Sequence, residues 1–138
     1  MSTVLNVMDA IEARLSTISG LRVSDVSPGQ VNPPQAIIGT PNVEYHAVHS
    51  GGDEHDFQLY VLTSAALDRI GQRLLAEFAA SSGARSIRAT LEADRSLGGV
   101  ADDVRVTRFR VLGRREVGLI GYFGGVFTVE VLAEWDVT

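Results

Sequence analysis

The chain has 138 residues and a net charge of −5, with 45% apolar residues, 21% charged residues and no cysteine. This length holds one domain with a single packed core, and the composition is that of a folded globular protein rather than a disordered or fibrous one. The missing thiols exclude disulfides, cysteine nucleophiles and cysteine zinc sites, and the acidic balance lacks the basic footprint by which proteins grip nucleic-acid phosphates.

Val4, Val7, Met8, Ile11, Leu15 and Ile18 recur at three- and four-residue steps. That spacing predicts an amphipathic helix with Ser2 or Thr3 as cap and Gly20 just past its end. Residues 21–26 read as a short strand, and the proline-bearing stretch 27–34 as a loop, because proline donates no ladder hydrogen bond. Strands are expected over 36–40, 42–49 and 56–63, with Phe57, Leu59 and Val61 on one face and the glycine-containing 50–55 as a hairpin connection. Ser64 is expected to cap a second helix whose buried stripe is Leu67, Ile70, Leu74 and Phe78, stopped by Ser82-Gly83. Ser86 caps a third, two-turn helix over 86–93 with Ile87 and Leu91 four apart, broken by Leu97-Gly98-Gly99.

From 104 to 112 the apolar positions change phase: Val104 and Val106 share one parity, Phe109 and Val111 the other. A β-bulge between the pairs would bring all four to one face of a bent strand. The clearest strand is the last, in which Phe127, Val129, Val131, Ala133 and Trp135 alternate with Thr128, Glu130, Leu132 and Glu134; it is expected to run antiparallel to its predecessor. Strands that are neighbours in sequence and helices at separated points indicate a single α+β domain over 1–138. Its mixed or mainly antiparallel sheet would be covered on one face by helices one and two.

All twelve basic residues are arginine. Residues 1–60 carry seven acids against two arginines and residues 61–138 ten of each, so the net negative charge sits in the first half. No apolar run approaches the ~20 residues of a membrane span, and the N-terminus lacks a basic-then-apolar leader, so the chain is expected to stay in the cytoplasm after synthesis.

The densest polar cluster is 46–56, which holds His46, His49, His55, Asp53, Glu54 and Asp56. Imidazole and carboxylate are proper zinc or iron ligands, but on a strand residues three apart point to opposite faces, so His46 and His49 do not converge on one ion. The stretch therefore reads as a solvated loop or contact surface. No Gly-x-Ser-x-Gly elbow occurs, and the glycine stretches 96–99 and 121–125 lack the lysine and the helix start of a phosphate cradle, so they read as turns. The acid pairs Asp53-Glu54 and Asp102-Asp103 lie where exposed turns are expected. No catalytic residue, metal ligand or cofactor is assigned.

More informative is 112–125, which joins two strands expected to pair but exceeds an ordinary hairpin loop and carries several apolar residues. Either the strands extend into it or its apolar residues need a partner chain. Leu119, Ile120, Tyr122 and Phe123, with Arg114 and Arg115 at a polar rim, form the candidate subunit interface.

Taken in order, several segments point to a known arrangement: the N-terminal helix, Asn32-Pro33-Pro34-Gln35-Ala36-Ile37-Ile38-Gly39 leading into a strand, and Phe57-Gln58-Leu59-Tyr60-Val61-Leu62-Thr63-Ser64 leading into the second helix. They resemble the tail terminator proteins of long-tailed, siphovirus-type bacteriophages, also known as minor tail or head-to-tail connector proteins. The stretch 86–99, followed by 100–106, is similar to one common in that family, as is Gly121-Tyr122-Phe123-Gly124 with the last strand. The resemblance covers nearly the whole chain and is one of order and residue character, with no residue of diagnostic chemistry.

The resemblance implies a structural virion protein, assembled in the host cytoplasm and placed at the head-proximal end of the tail. Copies of the chain would form a hexameric ring that ends polymerisation of the major tail tube protein and offers a joining surface to the head-completion or stopper protein. Genomic DNA would pass through the lumen without specific binding, and acidic walls would keep it from sticking. Other readings are a stopper or adaptor of the same neck, a small metal-dependent enzyme using the 46–56 cluster, and a cellular ligand-binding α+β domain.

Overall fold

The first apolar stripe folds as helix α1 (Val4–Leu15), which buries Val7, Met8, Ile11 and Leu15; Ile18 is buried in the turn that follows, and Gly20 ends it at a φ of 82°. The structure, a computed structural model, describes residues 4–25, 34–48, 52–64, 69–117 and 120–134. Strands β1 (Arg22–Asp25), β2 (Gln35–Ile38), β3 (Asn42–Val48) and β4 (Gly52–Ser64) follow, then helices α2 (Arg69–Ala79) and α3 (Ile87–Glu92), a 3₁₀ turn (Leu97–Gly99), and strands β5 (Asp103–Val117) and β6 (Ile120–Glu134). Most of the expected 27–34 loop lies outside the described residues, as do Leu67 and Trp135.

The sheet runs β1-β2-β4-β6-β5, with β3 beside β4 where β2 has ended. β1 and β2 are parallel and every other pair is antiparallel, so the fold is α+β with one mixed sheet. β2 and β3 lie along one side of β4 with a one-residue offset between Ile38↔Leu59 and Asn42↔Asp56. Gly39 sits in that offset and donates its N–H to Gln58 O at 3.1 Å.

The helices cover one face. Ala36, Ile38, Phe57, Leu59, Val61, Val104, Phe127, Val129 and Val131 line it and join α1, Leu75 and Phe78 of α2, and Ile87 and Leu91 of α3 in one core. Ser86 caps α3, accepting from Ala89 N at 3.0 Å and donating to the carbonyl of Ala80. Beyond α3, Asp94 accepts from the N–H groups of Ser96 and Gly98. This Asx-type turn holds Leu97 at a left-handed φ of 49° with its side chain buried. Arg95 then grips Asp103 with two hydrogen bonds, 2.6 and 2.9 Å, tying the turn to the start of β5. That contact, with Arg105 beside it, holds the Asp103 carboxyl down at about 2.

β5 carries the expected bulge: its register against β6 shifts between Val106 and Arg108, and Val104, Val106 and Phe109 all meet the core. Three expectations are corrected. β4 begins at Gly52, not Asp56, because 52–55 continues the alternation with His55 as the inward group, and its polar composition concealed the period. Ser64 is the last described residue of β4, and the expected cap falls next to residues 65–68, outside the described residues; α2, described from Arg69, buries Gly71, Leu75 and Phe78, leaving Ile70 79% exposed. Both stripes have helical spacing and share Phe78, and packing against β4 and β6 selects between them. Gly124 and Gly125, read as a turn, lie within β6.

Candidate functional site: the β5–β6 hairpin and the open sheet face

The long connection expected over 112–125 is mostly strand. β5 runs to Val117 and β6 starts at Ile120, so the strands extend into it. Among the described residues β4 pairs with β6 as far as Ser64↔Phe123, and the pairs Arg115↔Tyr122, Glu116↔Gly121 and Val117↔Ile120 continue as a ribbon of two strands. Arg114 lies opposite Phe123 in the register. Leu119 lies outside the described residues. Tyr122, expected at an interface, is buried with Ile37 and Leu62 in a small cluster on the open face, with Tyr60 packed against it. Phe123 packs partly against the main core. The base of the ribbon therefore belongs to the subunit's own fold.

Beside that base, Leu75, Ala76, Ala79, Phe109, Val111 and Phe123 line an apolar groove of about 520 Å³ between α2 and the hairpin, and Val111 is 56% exposed. It holds no nucleophile, acid or base. A second depression on α2, lined by Arg69, Ile70, Arg73, Leu74, Glu77 and Arg85, contains the Arg85–Glu77 ion pair at 3.1 Å.

The open face is charged. Glu44 on β3 stands opposite Glu54 on β4, and Asp56 on β4 opposite Glu130 on β6. Partial burial, then the charges of Glu130, Glu44 and Asp56, push the Glu54 carboxyl above its ordinary value. Ionising Glu54 therefore works against folding: the penalty is absent below about pH 4.5 and grows as the pH rises through the folded value. Sequence reasoning passed over this patch because its members come from three strands, and only register brings them together.

The 46–56 cluster divides between the two faces. Asp56 is on the open face, whereas His55 is buried at 2% exposure on the core face, edge-on to Phe57 with ring centroids 6.1 Å apart. His49 lies outside the described residues, and His46 is placed by the backbone of β3 alone. Among the described residues, no three His, Asp or Glu side chains converge as metal ligands.

His55 Nδ1 has no hydrogen-bond partner among the described residues. Burial pulls its pKa below the ordinary 6.5, opposed by Asp53. The folded state thus favours neutral imidazole, and stability is full above pH 6.5 and falls as the pH drops below it towards the folded value. His55→Leu removes both the buried unpaired nitrogen and this titration. The variant is expected to match or exceed the wild type at pH 7 and to exceed it by a wider margin at pH 5, read as urea midpoints. An unchanged margin would show that His55 does not carry the acid sensitivity.

No helix among the described residues is long and apolar enough to cross a membrane. No protein-family model matches the chain, and no curated protein matches it in sequence.

Proposed function

We propose that the chain is a ring-forming structural subunit that caps a phage tail tube at its head-proximal end, stops the tube growing and presents the joining surface for the head-completion protein. The observation that carries this reading is the ribbon beyond Phe123, where, among the described residues, β5 and β6 pair with each other and with no third strand. An isolated two-stranded ribbon is marginal in water. One whose end reads Val117-Gly118-Leu119-Ile120 gains stability by burying those residues against another chain. The apolar groove at its base suits a protein that works through surfaces.

Electron microscopy of a null mutant tests the role. Tails of uncontrolled length without heads are expected, and headless tails of normal length would assign the chain to a stopper instead. The double variant Leu119→Ser/Ile120→Ser tests the ribbon. It is expected to keep the circular dichroism of the folded subunit and to lose ring or tube-end assembly, each buried side chain being worth ~1.5–3 kcal/mol. Unfolding would return both residues to the subunit's own core.

A further inference from the structure

The open face of the sheet is divided by charge: acids lie on β3, β4 and β6 and arginines on β5, and the two regions meet where Arg105 stands opposite Glu130 in the register. β3 forms one edge and carries Glu44; beside it β4 and β6 add Glu54, Asp56 and Glu130. None of these four acids makes an ion pair among the described residues. β5 forms the other edge. Its Arg105, Arg108 and Arg110 are exposed, and they point to the open face because Val104, Val106 and Phe109 take the core side. Arg105 shares Asp103 with Arg95, while Arg108 and Arg110 make no ion pair among the described residues. Within one subunit the acids repel one another, and two arginine forks lie unused at the far edge of the same face.

We propose that a second copy of this chain lays its β5 arginine row against the acidic β3–β4–β6 patch of the first. Arginine forks satisfy carboxylates two bonds at a time, which sets register as well as attraction. Because the two surfaces are different, a head-to-tail contact leaves one half of each kind free on the growing assembly, so successive copies continue in one direction until a ring closes, whereas an isologous pair in which each row meets the other's patch stops at a dimer. This order of contact rests on the ring-forming reading above. The α2 arginines Arg69 and Arg73 are no match for the patch: they lie on the helix side of the sheet, with Glu77 beside them.

Mass photometry and sedimentation of the full chain, at low and high salt, test the contact. Wild-type assemblies should dissolve as salt rises. Arg108→Glu/Arg110→Glu and Glu44→Arg/Glu54→Arg/Glu130→Arg should each weaken self-association at least ~10-fold, since each makes the two edges alike in charge. Mixing the two variants should restore assembly, because each then offers what the other needs. Arg69→Glu/Arg73→Glu makes the same charge change as the β5 variant on the other face and should assemble like the wild type. Circular dichroism verifies each fold, and Arg108→Gln/Arg110→Gln with Glu44→Gln/Glu54→Gln, expected to weaken assembly less, serve if a reversal unfolds. Charge variants that assemble normally, a mixture that fails to assemble, or a wild type that stays monomeric at low salt would overturn the proposal. Rings indifferent to the edge charges sink this contact and leave the ring reading standing, whereas dimers or open chains that obey them sustain the contact and sink the ring.

Discussion

Phe127→Ala is expected to cost about 3–5 kcal/mol, the largest loss of any single substitution considered. The ring is 2% exposed, stands opposite Leu59 on β4 and Phe109 on β5, and lies tilted at 4.7 Å from the Phe109 ring. It thus fills the middle of the sheet where three strands meet the helices. Truncation removes its transfer free energy, leaves a cavity that the flanking strands cannot close without breaking two ladders, and deprives Phe109 of its ring partner. A domain of this size has a total stability of roughly 5–15 kcal/mol, so the variant is expected to be partly unfolded near 37 °C. Urea unfolding with Phe127→Leu alongside makes the measurement specific, since leucine refills most of the volume. A loss below about 1 kcal/mol for alanine would mean that this part of the core is not closed.

Gly124→Ala adds one methyl group and is expected to cost about 3 kcal/mol. A Cβ at Gly124 would press into the carbonyl oxygen of Val61 and come within 2.9 Å of Leu62 Cδ2 and 3.1 Å of Leu62 Cα. Two of those three atoms are backbone. Relief requires β6 to move off β4 just where both neighbouring ladders already shift register, between Leu62 and Ser64 and between Val111 and Gly113. The next residue is crowded as well: a Cβ at Gly125 would lie 2.5 Å from Phe109 Cε1, so the Phe109 ring occupies the place where a side chain would stand. Gly98→Ala is the natural comparison, because its site has open space but a φ of 71°. Backbone strain there, of order 1 kcal/mol, should separate from the steric cost at Gly124. Equal losses at the two positions would show that β4 and β6 separate easily. Because Gly124 lies where the ribbon leaves the sheet, the alanine variant should also re-aim the hairpin and reduce assembly before the subunit unfolds.

Wherever a segment's own residues were enough to decide its structure, the sequence determined it. The α1 stripe, the Ser86 cap with Ile87 and Leu91, and the alternation from Phe127 to Ala133 are short-range patterns, and each appears with the expected face buried. The bulge after Val106 was legible for the same reason, since a phase change in a period-2 pattern needs one extra residue. Only tertiary packing could choose between the two stripes of α2, because Ile70-Leu74-Phe78 and Gly71-Leu75-Phe78 are both helical spacings. His55 was hidden because an inward imidazole breaks a hydrophobic pattern without breaking the strand. The glycines at 124 and 125 looked like a turn because composition cannot distinguish a chain that bends from one that another strand approaches closely. The acidic patch and the arginine row opposite it depend on register between strands up to 86 residues apart in sequence, from Glu44 to Glu130. Sequence-local periodicity carries no information about such pairings, which form only when the core closes and sets one strand against the next.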